Sequence, residues 1–182
     1  SWYGYGRGRD QQDEIKIIED QRMNAIIVTA KPAAIPMVED LIKGLLINSS
    51  ADAACTLSIS KVSYNEFIDL MNEKAKDFGM TMTHFTNPIG LDGQNGGHVS
   101  TAYDLFKLSK KSIEKPLIEE FVKTKNAFIF DTEGRKTDIW NTNRLLWNIP
   151  GSAGIKTGTT EEAGEVLIYR YKTDGKDILI IV

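Results

Sequence analysis

Apolar residues recur at two different periods along this chain, and the change of period marks its elements. Val38, Leu41, Ile42, Leu45 and Leu46 follow the i, i+3, i+4, i+7 spacing of a helix with one buried face, predicted over 38–47, and Gly44 weakens that reading only slightly. Ser63 and Glu66 form a capping-box pattern. Phe67, Leu70, Met71 and Phe78 then make one face until Gly79 stops the helix, predicted over 64–78, and this stripe is expected to pack into the core. A third helix opens at Thr101 and is expected over 101–112, and Pro116 suits the first turn of another. Short apolar runs give strands at 25–30, 127–130, 166–171 and 177–182, the last two closed into a tight hairpin around Asp174 and Gly175. Helices interleaved with hairpins, and no βαβ crossovers, predict an α+β fold with an antiparallel sheet.

Composition narrows the class. A chain of 182 residues with 41% hydrophobic content can bury a sizeable core, and one domain is the natural reading. Its net charge of -3, with both signs interspersed, leaves no electrostatic footprint for nucleic acid or an anionic membrane. The single cysteine, Cys55, excludes an internal disulfide and, beside Ala53, Ala54 and Leu57, reads as a buried thiol. No run approaches the roughly 18 apolar residues of a membrane span. His84 and His98, the two histidines, are too few for a metal site and are expected to be hydrogen-bonding scaffold residues. The oxygen-rich stretch 87–97 lacks the spacing of a calcium loop and reads as a turn. Residues 1–24 differ from the rest: aromatic, glycine and arginine residues alternate at their start, too briefly to specify base stacking, so they read as a flexible or atypical N-terminal segment.

The strongest chemical signal is Lys156-Thr157-Gly158, ahead of the strand-like run from Val166. Together these residues offer an ammonium, a hydroxyl and a backbone without a side chain to one substrate carboxylate, although a lone tripeptide of this kind is usually a surface turn. Its setting raises it. The helix and turn from Val38 to Ala54, the block from Phe67 to Ala75, the block from Thr83 to Asp92, the run from Gly97 to Leu105, and Asn143 to Trp147 follow one another as in the D-alanyl-D-alanine carboxypeptidases, low-molecular-mass penicillin-binding proteins of the serine β-lactamase-like superfamily, which residues 25–182 resemble.

That resemblance implies acyl transfer from a peptidoglycan peptide ending in D-Ala-D-Ala, without a cofactor or metal, in the bacterial envelope outside the cytoplasm, with any targeting segment removed. Ser49 takes the place of the second motif's serine and would relay a proton to the leaving amine. Lys156 would help keep the attacking group's neighbour neutral, and Thr157, Gly158 and Thr159 would hold the terminal carboxylate. Arg144 is a further carboxylate partner or an ordinary surface residue.

The departures are as informative. Nothing upstream of Ser49 reads Ser-x-x-Lys, and the matches at Ser58–Lys61 and Ser112–Lys115 lie downstream, where they arise by chance. The nucleophile is therefore expected to be missing from this chain. Ala51 stands where the family has asparagine, the segment before Val38 reads as shortened, and the chain stops inside its last strand. An incomplete domain of this kind is expected to bind β-lactams weakly at most, and to self-associate or take up a helix through a groove lined by Ala53, Ala54 and Leu57. Three functions stay open: a carboxypeptidase whose nucleophile lies elsewhere, a non-catalytic envelope binding or structural module on the same fold, and an unrelated assembly protein.

Overall fold

A computed structural model describes residues 16–20, 25–29, 35–93, 97–131 and 133–182. The expectations for residues 1–15, 21–24 and 30–34, including the aromatic start, lie outside the described residues. The chain runs β1 (Lys16–Asp20), β2 (Ala25–Thr29), α1 (Ile35–Asn48), α2 (Ala51–Ile59), α3 (Tyr64–Asp77), α4 (Ala102–Ile113), α5 (Pro116–Val122), β3 (Asn126–Phe130), β4 (Lys136–Trp140), α6 (Leu145–Asn148), β5 (Ser152–Thr160), β6 (Gly164–Thr173) and β7 (Lys176–Ile181). Every strand pairing is antiparallel: β1 with β2, β3 with β4, and β5–β6–β7 as a three-stranded sheet. The α+β expectation holds.

The core forms where the apolar face of α1 meets the inner face of the β3–β4 hairpin. Ile47, Phe121 and Ile139 are its buried centre, with Ile42, Leu46, Ala127 and Ile129 packed around them. Ala127 pairs directly with Ile139, so the strand period of two puts both on one face and leaves Phe128, Phe130 and Trp140 on the other. Strand β4 follows from its partner more than from its own sequence, in which only Ile139 is buried.

Capping signals in the sequence are used as written. Ser63 Oγ accepts the Glu66 amide at 3.3 Å, and Thr101 Oγ1 accepts the Asp104 amide at 3.1 Å. Asp104 itself is buried and receives the Met82 amide at 2.8 Å and the Thr83 hydroxyl at 2.9 Å, tying α4 to the loop that follows α3. His98 Nδ1 accepts the Thr86 amide at 3.0 Å, a scaffold bond within the 84–99 loop.

Several expectations need correction. The Phe67, Leu70, Met71 and Phe78 stripe does not enter the core: with Met80, Phe85 and Leu108 of α4 it lines a surface groove of about 320 Å³. Ala53 and Ala54 are buried, with the Ala53 Cβ directed toward Gly44 of α1, so they do not line an open groove. Cys55 is half-buried, since it sits on the flank of α2 away from that contact. Lys156-Thr157-Gly158 does not merely precede the strand that contains Val166: it lies within a strand of its own, β5, paired with Ile168, Leu167 and Val166.

Candidate active site

The site begins at the break between α1 and α2. Ser49 has φ 56°, the left-handed region that glycine adopts freely and serine adopts at a cost, and it is the sole non-glycine residue with positive φ among the described residues. That conformation ends α1, lets the Ser50 amide reach the Gly44 carbonyl at 3.0 Å, and frees Ser50 to cap α2 by accepting the Ala53 amide at 3.2 Å. The side chain left at the corner is Ser49.

From the other direction, β5 delivers Lys156. Its Nζ donates to Ser49 Oγ and, at 2.8 Å, to the Thr157 carbonyl. Burial lowers the Lys156 pKa below its usual 10.5, because the ammonium loses part of its hydration there. The geometry of β5 upstream is set by Gly154, at φ 102°, where an added Cβ would stand 2.8 Å from the Val122 carbonyl oxygen. Only a residue without a side chain lets β5 run this close to α5.

A third segment, 141–143, completes the arrangement, and sequence reading overlooked its Asn141 and Thr142. Asn141 is buried and donates through Nδ2 to the carbonyls of Thr124 (2.9 Å) and Val122 (3.3 Å), while its Oδ1 accepts the Asn143 amide at 2.9 Å. The Thr142 amide bonds the Ile47 carbonyl at 3.2 Å, at the end of α1. Held at both ends, Thr142 places its hydroxyl 2.6 Å from Thr157 Oγ1 and 3.5 Å from Ser49 Oγ. Ser49, Thr142 and Thr157 thus form a row of hydroxyls beside the Lys156 ammonium. The polar run Asn141-Thr142-Asn143 directly after Ile139 and Trp140 was the available signal.

These groups open on a cavity of about 840 Å³ whose walls include Ser49, Thr142, Arg144, Thr157, Gly158 and Thr159. A Cβ added at Gly158 would meet nothing within 4 Å, so its missing side chain leaves open space and is not required by packing. The structure therefore brings together Ser49, Lys156, Thr157, Gly158 and Thr159, with Arg144 at the rim. It does not bring in either downstream Ser-x-x-Lys. Ser58 is buried and donates to the Cys55 carbonyl at 2.8 Å, and Ser112 donates to the Leu108 carbonyl at 2.9 Å, both back-bonded to their own helices. Among the described residues no group of three His, Cys, Asp or Glu side chains is placed to hold a metal, and no helix is long and apolar enough to cross a membrane.

The order of these segments decides the family. The D-alanyl-D-alanine carboxypeptidase family profile (Peptidase_S11) matches residues 13–182. This chain belongs to that family. It is 31% identical over 163 residues to the D-alanyl-D-alanine carboxypeptidase DacB2 of Mycobacterium tuberculosis, covering 90% of this chain and 56% of that protein. It is 37% identical over 127 residues to DacF of Bacillus subtilis, covering 69% of this chain and 32% of that one. Among solved structures, the Streptomyces K15 DD-transpeptidase superposes with a TM-score of 0.73 at 31% identity, over 79% of this chain and 59% of that one. The D-alanyl-D-alanine carboxypeptidase of Mycobacterium tuberculosis does so with a TM-score of 0.72 at 33% identity, over 79% and 54%. The chain thus spans about half the length of DacB2 and about a third of DacF.

Proposed function

We propose that this chain forms the carboxylate-binding and proton-relay side of a serine-type D-Ala-D-Ala carboxypeptidase site, acting on peptidoglycan stem peptides in the bacterial envelope. The observation that carries this reading is the Lys156 ammonium on Ser49 Oγ, beside the linked hydroxyls of Thr142 and Thr157 on an open cavity. A terminal carboxylate entering the cavity meets the Thr157 and Thr159 hydroxyls and the field of Lys156, and charge-assisted bonds of this type are stronger than neutral ones.

The reaction itself needs one further group. A serine Oγ attacks the carbonyl carbon of the penultimate D-alanine and gives its proton to a lysine; the amide C–N bond breaks, and the departing D-alanine nitrogen takes a proton by way of Ser49. Water then cleaves the ester and returns the serine. Ser1 is the only serine before Ser49, and no Ser-x-x-Lys precedes Ser49 in these 182 residues. By this reading the chain alone binds the carboxylate end of the peptide and does not form the acyl-enzyme; turnover requires a nucleophile from outside these residues.

A second reading, a binding module without catalysis, draws on Ala51, which offers no amide where the family's second motif has one. Incubation with fluorescent penicillin, followed by intact-mass measurement, tests the proposal. An unmodified chain is expected. One specifically acylated serine would overturn it, and Ser58 and Ser112 are the first to inspect.

A further inference from the structure

The outer face of the β3–β4 hairpin is unlike a water-facing sheet surface. Phe128, Phe130 and Trp140 keep 50%, 49% and 59% of their surface in water. Single exposed aromatics are ordinary, whereas three on one face are not. Each is also paired across the ladder with a polar side chain: Trp140 opposite Asn126, Phe128 opposite Asp138, Phe130 opposite Lys136. Successive pairs on one face of a strand stand about 7 Å apart, so the face presents three aromatic–polar couples in a row.

The mounting is rigid. Ala127, Ile129 and Ile139 fix the opposite face of the hairpin in the core, and the Phe128 and Phe130 rings meet edge to face at 5.6 Å and 78°. The row also points at the cavity. Trp140 immediately precedes Asn141, whose amide anchors it to the end of α5 and the turn that follows it, and Thr142 follows at the cavity wall.

We propose that this face is a glycan-binding strip that takes the N-acetylated hexosamine strand bearing the peptide bound in the cavity. A pyranose has an apolar C–H face that lies against an aromatic ring, and an edge of hydroxyl and acetamido groups that needs hydrogen-bond partners. One aromatic and one polar side chain per pair supply both along the strand. Charge favours the same occupant: Lys136 Nζ lies 3.5 Å from Asp138 and 4.6 Å from the Phe128 ring centroid, so the local charges cancel and the face suits a neutral ligand better than an anionic lipid or nucleic acid. A lipid surface or a second copy of the chain gains little from a polar partner beside every ring. The choice of a peptide-bearing strand rests on the peptidoglycan reading of the cavity; the aromatic–polar strip itself does not.

The test is saturation-transfer NMR on the full chain with a β-1,4-linked N-acetylglucosamine tetramer, with a D-Ala-D-Ala peptide run separately. Transfer to the acetyl methyls is expected, with affinity reduced at least tenfold by Trp140→Ala, about threefold by Phe128→Ala, and unchanged by Trp140→Tyr and Lys156→Ala. The strip side chains face outward, so melting curves of their variants should stay close to wild type; if Trp140→Ala melts early, Phe128→Ala with Phe130→Ala carries the comparison. No transfer in the wild-type chain, or equal transfer in the strip variants, would overturn the proposal. So would adhesion to neutral lipid vesicles or dimerisation that the strip variants abolish while the sugar leaves both unaffected. Sugar binding without peptide binding would sustain the strip and reject the cavity reading; the reverse outcome would reject the strip.

Discussion

Lys156 Nζ donates a hydrogen bond to Ser49 Oγ, joining residues 107 positions apart in sequence across the corner between α1 and α2 and the middle of β5. The contact depends on backbone choices made at a distance: a left-handed serine at the corner, a glycine that lets β5 approach α5, and an asparagine that holds the 141–143 segment. Each of these choices can be varied alone.

Lys156 should show its lowered pKa in two ways. Between that value and 10.5 the unfolded chain holds a proton the native chain lacks, so stability should rise with pH across that window, and Lys156→Met should remove the rise. Carboxylate binding should fall as pH rises through the same lowered value, before an ordinary lysine would titrate. Chemical denaturation and peptide titrations from neutral pH to beyond the usual lysine value measure both; a flat wild-type profile would contradict the assignment.

Ser49→Gly and Ser49→Ala both delete the hydroxyl, but only glycine relieves the positive φ. The glycine variant should be more stable than the alanine variant by about 1 kcal/mol. Thermal melts compare the two directly, and equal stability would show that the left-handed turn carries no strain.

Gly154→Ala should destabilise the fold by about 1 to 3 kcal/mol, since the new Cβ meets the Val122 carbonyl oxygen at a φ that side chains avoid. Gly158→Ala is the contrasting case. It has open space around it, so it should melt like wild type while weakening peptide binding by narrowing the cavity.

Thr142→Val should keep the fold, because the Thr142 amide bond to Ile47 and the Asn141 anchors remain. It should reduce carboxylate affinity by about twofold to tenfold through the loss of one hydroxyl bond to Thr157. Thr142→Ser should recover most of it. Titration of a D-Ala-D-Ala peptide against the three chains decides the point.

The helices were largely legible because their signals are local. Ser63 and Thr101 cap where the pattern placed them, and α3 and α4 run close to the expected lengths, whereas α1 begins at Ile35, three residues before the apolar pattern does. α2 escaped notice although Ser50 and Asp52 mark its start, because its nine residues are too few to establish a period. β4 and β5 were also hidden. β4 has one buried residue, and the glycines and threonines of β5 gain strand character only from pairing with β6. The α3 stripe was misplaced because periodicity shows which face is apolar and not what covers it. At the site, Ser49 and Lys156 were found through motif resemblance, whereas Thr142 joins them only through contacts spanning 93 and 15 positions, which no local pattern encodes.

Calorimetric titration of the chain with a peptide ending in D-Ala-D-Ala tests the central claim most directly. One ammonium with hydroxyl partners contributes about 1.5 to 3 kcal/mol through charged hydrogen bonds, so binding should be weak, with a dissociation constant on the order of millimolar. Lys156→Ala should abolish the heat of binding and Thr157→Val should reduce it. Equal binding by Lys156→Ala would contradict the account and place the peptide elsewhere on the chain.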